Sequence, residues 1–388
     1  MSDSFLPYGR QTITEADITA VEAVLRSPFL TQGPAVPSFE QAVATKVGAA
    51  YGVAVNSATS ALHIACLALG LGPGERLWTS PISFVASANC GRYCGADVDF
   101  VDIDPATALI SVAALEQKLE HADRIGGLPK VLVPVHLCGT SCDMSAIADL
   151  AEKYGVALLE DASHAIGGLY RDEPVGSCRY SAISVFSFHP VKIITTAEGG
   201  MATTNDASLA QSMADLRCHG ITKEETRFER PALGPWGYEQ QDLGFNYRLT
   251  DLQAALGLSQ LERLESIVAE RQRLLEVYRR SLASLPVSLL EIPHTVSSAL
   301  HLAVIRLNDK GPEHHRRVFE GLRAAGIGVQ LHYSPVHLQP YYRRLGFAEG
   351  DFPEAEAYAR NAITLPLYPG LQEQEQARVV QALASMLG

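Results

Sequence analysis

"KVLVPVHLCGTSCDMSAIADLAEKYGVALLED", residues 130–161, sets two short apolar runs, KVLVPVH and VALLED, on either side of a helical pattern from Met144 to Tyr154. Two near-continuous apolar segments bracketing a helix indicate a strand, a crossover helix and a second, parallel strand. A strand covered on both faces has no polar side to show. The alternation continues outward. YGVAVN (51–56) precedes a helix through Ala61 to Leu69, RLWTSP (76–81) precedes one at Phe84–Cys94, and VDFVDID (98–104) follows. Downstream come SAISVFSF (181–188) and GGMATT (199–204), with a helix after them. The expected class is therefore α/β, with a large domain built on a mostly parallel central sheet.

Order breaks down between His219 and Arg248, where four glycines, two prolines, Trp236 and many charges read as a long loop. Loops of that length are functional or disordered. A helical pattern from Thr250 to about Leu282 follows, then HLAVIRLN (301–308), a helix to Ala325, IGVQLHY (327–333) and a closing helix from Gln372. These form a smaller α+β domain, so the expected division is 1–248 for the N-terminal segment and large domain and 249–388 for the small one. The formal charge of −12 and the lack of a long basic run speak against a nucleic-acid partner. No signal-peptide pattern opens the chain and no long apolar stretch could span a bilayer, so a cytoplasmic protein without a membrane partner is expected. The seven cysteines, with C-x3-C pairs Cys90/Cys94 and Cys138/Cys142, fit reduced buried thiols better than a disulfide framework or a metal site.

Four stretches carry chemistry. In NSATSALHIA (56–65) a strand end meets a helix start, and the hydroxyls either cap the helix or seat a phosphate on its free amides. In TSPISFVASANC (79–90), Phe84 follows another strand end and is either core or a stacking platform. In LLEDASHA (158–165), Asp161 closes an apolar strand at the edge where open α/β sheets place ligands, with His164 three residues on. Asp161 could instead cap the next segment, and Glu160 points to the other face. In SVFSFHPVKIITTAEGGM (184–201), Lys192 follows an apolar run with no other formal charge between Arg179 and Glu198. Alone it could be a lysine snorkelling to the surface. Together the four supply a lysine able to lose its proton, an acid, an aromatic face and a phosphate seat, which are the groups pyridoxal phosphate needs.

The residues resemble the sugar aminotransferases of the DegT/DnrJ/EryC1/StrS family, fold type I enzymes that use pyridoxal 5'-phosphate, with pyridoxamine 5'-phosphate as the alternate form. The resemblance runs from PYGRQTIT (7–14) through FLTQGP (29–34), NSATSALH, TSPISFVASAN, EDASHAIGG, FSFHPVKIITTAEGGM and LGFNYRLTDLQAALGLSQL (243–261) to VQLHYSPVHLQPYY (329–342) and ITLPLYPGL (363–371). It implies that Lys192 binds the cofactor covalently and that Ala58, Thr59, Ser60 and Ser187 hold its phosphate. Phe84 would lie on the ring, Asp161 would pair with the ring nitrogen, and His164 would sit beside the ring. Asn246 would cross to the phosphate of a partner in a homodimer with shared active sites. Substrate contacts would come from Tyr8, from Leu30, Thr31, Gln32 and Gly33, and from Gln330, Leu331, His332 and Tyr333.

The closest branch aminates C4 of a UDP-linked 4-keto-6-deoxy-N-acetylhexosamine, with glutamate as donor, in pseudaminic acid biosynthesis. The alternatives are another nucleotide-linked keto sugar, such as dTDP-4-keto-6-deoxyglucose, or a regulatory member without turnover. Family members that dehydrate rather than aminate carry histidine at the position of Lys192.

Overall fold

The computed structural model describes residues 5–231, 234–308 and 311–387. Seven strands form the central sheet: β1 (Tyr51–Val55), β2 (Arg76–Thr79), β3 (Asp97–Phe100), β4 (Val131–Val133), β5 (Ala157–Asp161), β6 (Ile183–Ser187) and β7 (Gly200–Thr204), in the order β1-β7-β6-β5-β4-β2-β3. The pairs β6–β5, β5–β4, β4–β2 and β2–β3 are parallel, while β7 runs antiparallel to both β1 and β6. Every residue of β4, β6 and β7 is buried, which is why these stretches read as unbroken apolar runs with small hydroxyl residues among them.

The helices of this body are α1 (Glu15–Leu25), α2 (Ala35–Val47), α3 (Ala58–Ala68), α4 (Ala86–Tyr93), α5 (Val112–Ile125), α6 (Met144–Tyr154) and α7 (Ala207–Arg217). Helix α6 occupies the span its periodicity gives. The Asp143 side chain accepts from the Ala146 amide at its start, and Gly155 ends it in the left-handed region at φ 66°. Helix α3 is buried from Ser60 to Cys66, so it has no solvent stripe at all.

The single helical pattern expected from Thr250 to Leu282 is two helices, α8 (Asp251–Leu261) and α9 (Leu264–Leu282). The joint has a physical cause. Asp17 of α1 is fully buried and gathers Ser259 Oγ (2.7 Å), Gln260 Nε2 (2.8 Å) and Arg263 Nη2 (2.7 Å) from the chain around the break. With the Thr14 amide and hydroxyl these donors satisfy a carboxylate that is costly to bury unbonded. Helix α8 packs on α1 and α2, whereas the C-terminal apolar cluster takes Leu274, Leu275, Tyr278 and Leu282 from the far half of α9. That cluster also holds the antiparallel strands β8 (Val287–Leu289), β9 (Ala303–Leu307) and β10 (Ala362–Leu365), with α10 (Pro312–Ala324) and α12 (Glu373–Leu387). We therefore propose that the working division of the chain lies inside α9 and not at residue 249.

The two bodies are fastened at several points. The Phe100 ring meets Tyr342, Phe347 and Phe352 at centroid distances of 5.6, 5.1 and 5.8 Å. Tyr342 donates to Asn89 Oδ1 (2.8 Å), and Asp102 accepts the amides of Glu354 (3.0 Å) and Ala355 (2.9 Å) at the start of α11 (Pro353–Asn361). The segment 219–248 has internal order of its own. Ile221–Thr222 pairs with Glu239–Gln240, and the Glu239 carboxylate takes the amides of Glu229 (2.7 Å) and Arg230 (3.1 Å). Its Trp236, Tyr238 and Leu243 remain exposed. Six of the seven free cysteines are buried. Among the described residues, no helix is long and apolar enough to cross a membrane.

One contact places α3 against the sheet. A methyl at Gly200 would lie 2.4 Å from the Ala58 nitrogen and 2.5 Å from the Ser57 carbonyl carbon. Gly200→Ala is accordingly expected to lower stability by about 1–3 kcal/mol, the usual cost of forcing extra volume into a packed interior. Urea unfolding reads this, and an unchanged midpoint would show that α3 steps back freely.

Candidate active site

The carboxyl ends of the parallel strands and the start of α3 enclose a cavity of about 420 Å³. At the helix start, Ser57 is extended and its Oγ accepts the Ser60 amide (3.1 Å). The amides of Ala58 and Thr59 occupy the first two helical positions, where an α-helix offers no acceptor. Ser60, expected on the phosphate, is instead turned inward, and its hydroxyl donates to Asn56 Oδ1 (2.7 Å). Ala58 and Thr59 line the cavity, and Ser60 does not. Ser187, at the end of β6, lines the same cavity and its hydroxyl makes no bond among the described residues.

Lys192 lies not in the strand but in the turn after it. Its amide donates to the His189 carbonyl (2.9 Å), and the Thr196 amide and Thr195 hydroxyl both donate to the Phe188 carbonyl (3.0 Å each). Burial pushes the Lys192 ammonium down to about 8, with Asp161 pulling the other way. A substantial share of the amine is thus neutral near physiological pH. Asp161 is buried at the end of β5, where it accepts from Ser87 Oγ (2.6 Å) and from the Ser163 amide (3.1 Å). Glu160 faces away from the cavity, bonded to His136 Nε2 (2.7 Å) and to Ser181.

His164 has its tautomer set by the backbone. The Cys138 amide donates to Nδ1 (3.2 Å), so the proton sits on Nε2, which faces the Tyr333 hydroxyl at 3.1 Å. Burial, and then Lys192 and His332, hold His164 well below the usual histidine range. A neutral ring that donates from Nε2 leaves the Tyr333 O–H free to donate elsewhere, and burial keeps that phenol protonated. His332 bonds Thr364 Oγ1 through Nδ1 (2.8 Å), and burial followed by Lys192 pushes it down to about 3. Tyr8 sits 5.2 Å from the His332 ring, and the half-exposed Phe84 sits 6.2 Å from that of Tyr333, all of them lining the cavity.

The other expected residues lie outside it. Leu30, Thr31, Gln32 and Gly33 form a turn tied to α8 by Asp251, whose carboxylate takes the amides of Gly33 and Ala35 (2.8 Å each). Gln330 is exposed and Leu331 half-buried beside His332, and Asn246 is exposed. Conversely, His189, Glu198, Ser163 and His301 line the cavity without having been singled out. The first three adjoin Lys192 or Asp161 in the chain, and that nearness was an available signal. His301 comes from a distant segment and had none.

Only a neutral amine attacks an aldehyde, so labelling of the cofactor-free protein by pyridoxal phosphate and borohydride should rise through about pH 8 at Lys192 and level off above it. Peptide mapping against exposed lysines checks this, and a Lys192 yield still climbing in parallel with them at pH 10 would contradict the lowered value. Between about 8 and 10.5 the unfolded chain holds the proton that the folded chain has released. Stability conferred at this position therefore increases with pH across that window.

These residues fit pyridoxal phosphate: free helix-start amides and an unbonded hydroxyl for the phosphate, a buried carboxylate, and a lysine whose ammonium is weakened by burial share one cavity. The profile of the DegT/DnrJ/EryC1/StrS aminotransferase family matches residues 11–384. The spore coat polysaccharide biosynthesis protein SpsC of Bacillus subtilis is 36% identical over 99% of this chain and 97% of its own. Helicobacter pylori PseC, an aminotransferase in the biosynthesis of pseudoaminic acid, superposes with a TM-score of 0.90 at 30% identity, over 99% of each chain. Streptococcus pneumoniae Spr1654 in its PMP form gives 0.91 at 30%, covering 98% of this chain and 99% of that one. The chain belongs to the DegT/DnrJ/EryC1/StrS aminotransferase family, and its cofactor is pyridoxal phosphate.

Proposed function

We propose that this enzyme moves the amino group of glutamate to C4 of UDP-2-acetamido-2,6-dideoxy-beta-L-arabino-hexos-4-ulose, on the route to pseudaminic acid. The likeness to PseC over essentially the whole of both chains carries this reading. When bound, pyridoxal phosphate supplies an aldehyde that condenses with amines and a ring that takes up electron density. The protein does the rest. The Ala58 and Thr59 amides and the Ser187 hydroxyl anchor the phosphate, and Asp161 keeps the ring nitrogen protonated. Lys192 Nζ, its proton loosened by burial, takes a proton from the α-carbon of glutamate and in the second half returns one to C4 of the sugar. Tyr333, its hydroxyl proton left free by His164, and His332 present hydrogen bonds to the sugar. Asn246, exposed on its own chain, reaches the partner's phosphate in a homodimer.

A second reading has its own support. SpsC is 36% identical and its name points to a spore coat polysaccharide, so another nucleotide-linked keto sugar is the alternative substrate. Catalytic groups that need only a ketone do not choose among sugars, whereas a site built to bond particular hydroxyl and acetamido groups rejects analogues lacking them.

Comparison of kcat/KM should favour the beta-L-arabino sugar over its D-xylo C5 epimer and over dTDP-4-keto-6-deoxyglucose, with product NMR placing the amine at C4. Equal turnover of the dTDP sugar would select the second reading. Asn246→Ala should weaken cofactor binding by about 1–3 kcal/mol, the loss typical of a bond to a charged group. Mixing Asn246→Ala with Lys192→Ala chains should recover activity in heterodimers. Heterodimers that form but stay inactive would place Asn246 outside the partner's site.

A further inference from the structure

The largest fully buried side chain among the described residues is a cation, Arg271 of α9, and it is 1% exposed. Among the described residues it forms no ion pair. Its Nη1 donates to three backbone carbonyls instead: Leu300 (3.2 Å), His301 (3.1 Å) and Leu367 (3.0 Å), while Nε has no partner. Packing alone does not explain this arrangement, since a buried charge commonly gives way to an apolar residue of similar size without loss of stability.

Two of the carbonyls belong to the segment that brings His301 to the cavity, and the third to a segment bonded to the chain of Tyr8. Leu300 is held in the left-handed region at φ 55°, where a branched side chain is strained, and the next residue is His301. Across from it Cys138 is left-handed as well, at φ 60°, and its carbonyl takes the His301 amide at 2.8 Å. The same Cys138 sets the tautomer of His164, whose ring lies 4.5 Å from that of His301. On the other segment the Leu367 amide donates to the Tyr8 carbonyl at 3.0 Å. Two turns along the same face of α9, Tyr278 donates to the Pro366 carbonyl (2.9 Å), so the helix grips this strand end twice.

We infer that Arg271 is a positioning residue for sugar binding: by holding the carbonyls of Leu300, His301 and Leu367 together it sets His301 and Tyr8 in the cavity wall. Arg271 makes no hydrogen bond to α3, β5 or the Lys192 turn, which carry the expected phosphate seat, Asp161 and the lysine. The positioning role rests on the reading of the cavity as a keto-sugar site.

The test is Arg271→Met beside Arg271→Lys, with thermal melting, cofactor titration by absorbance, and kinetics on whichever keto sugar nucleotide the wild-type enzyme turns over. Misplacement of a wall should raise the sugar KM of Arg271→Met by about tenfold to a hundredfold. Cofactor affinity should stay within about twofold, and Arg271→Lys, which keeps the charge but not the planar fork, should recover only part of the loss and leave the sugar KM about threefold or more above wild type. A folded Arg271→Met with wild-type sugar KM overturns the assignment, and so does an equal loss of cofactor and sugar binding, which marks a purely structural role. If Arg271→Met does not fold, Arg271→Lys decides alone: a raised sugar KM with intact cofactor binding supports the role, and unchanged kinetics refutes it. A wild-type enzyme that turns over no keto sugar refutes the functional reading instead.

Discussion

The active site depends on backbone meeting backbone where β7 passes the start of α3, and residue 200 has no side chain to keep them apart. That approach holds the Ala58 and Thr59 amides over the same cavity that receives Ser187, Asp161 and Lys192. Because β7 lies antiparallel between β1 and β6, its first residues sit at the edge where the parallel strands end. Gly199 is required for a related reason, since a methyl there would lie 2.2 Å from Thr196 Oγ1 in the turn that carries the lysine. The Gly-Gly pair after Lys192 is therefore where β7, the start of α3 and the lysine turn meet most closely.

Much of this was legible because the signals are local. The apolar runs at 131–133, 157–161 and 183–187 have no exposed face, and the period of α6 is uninterrupted, so strand, helix and parallel order follow from the residues themselves. Lys192 and Asp161 stood out as charges where a sheet interior admits few. What escaped depends on contacts between distant segments. The direction of β7 is set by its neighbours on both sides, and the break before α9 by Asp17, some 240 residues earlier in the chain, which collects donors from both sides of the bend. Ser60 looked like a phosphate ligand because its hydroxyl is at the right place in the sequence, but Asn56 claims it. His301 gave no local sign because its cavity position is created by the fold around Gly139 and Arg271.

The electrostatics of the cavity follow one rule. His164, His301 and His332 cluster around a buried amine and are all driven toward the neutral form, mainly by loss of water. The same desolvation releases the proton of Lys192. A wall of neutral imidazoles offers hydrogen bonds in both senses while adding no charge to compete with a phosphate, a ring nitrogen or a carboxylate. The tautomer of His164, chosen by one backbone amide, decides which way those bonds run.

The fastening through Phe100, Tyr342 and Asp102 has an evolutionary consequence. The cavity groups lie on the sheet, α3 and the His332–Tyr333 pair, while Leu30–Gly33 and the described part of the 219–248 segment lie outside it, on a frame already locked by aromatic contacts and helix caps. Substitutions at exposed positions there, such as Leu30, Gln32, Trp236 and Leu243, leave the frame untouched, so these stretches are free to diverge while the fold is kept. Such separability accords with a fold shared with Helicobacter pylori PseC at 30% identity.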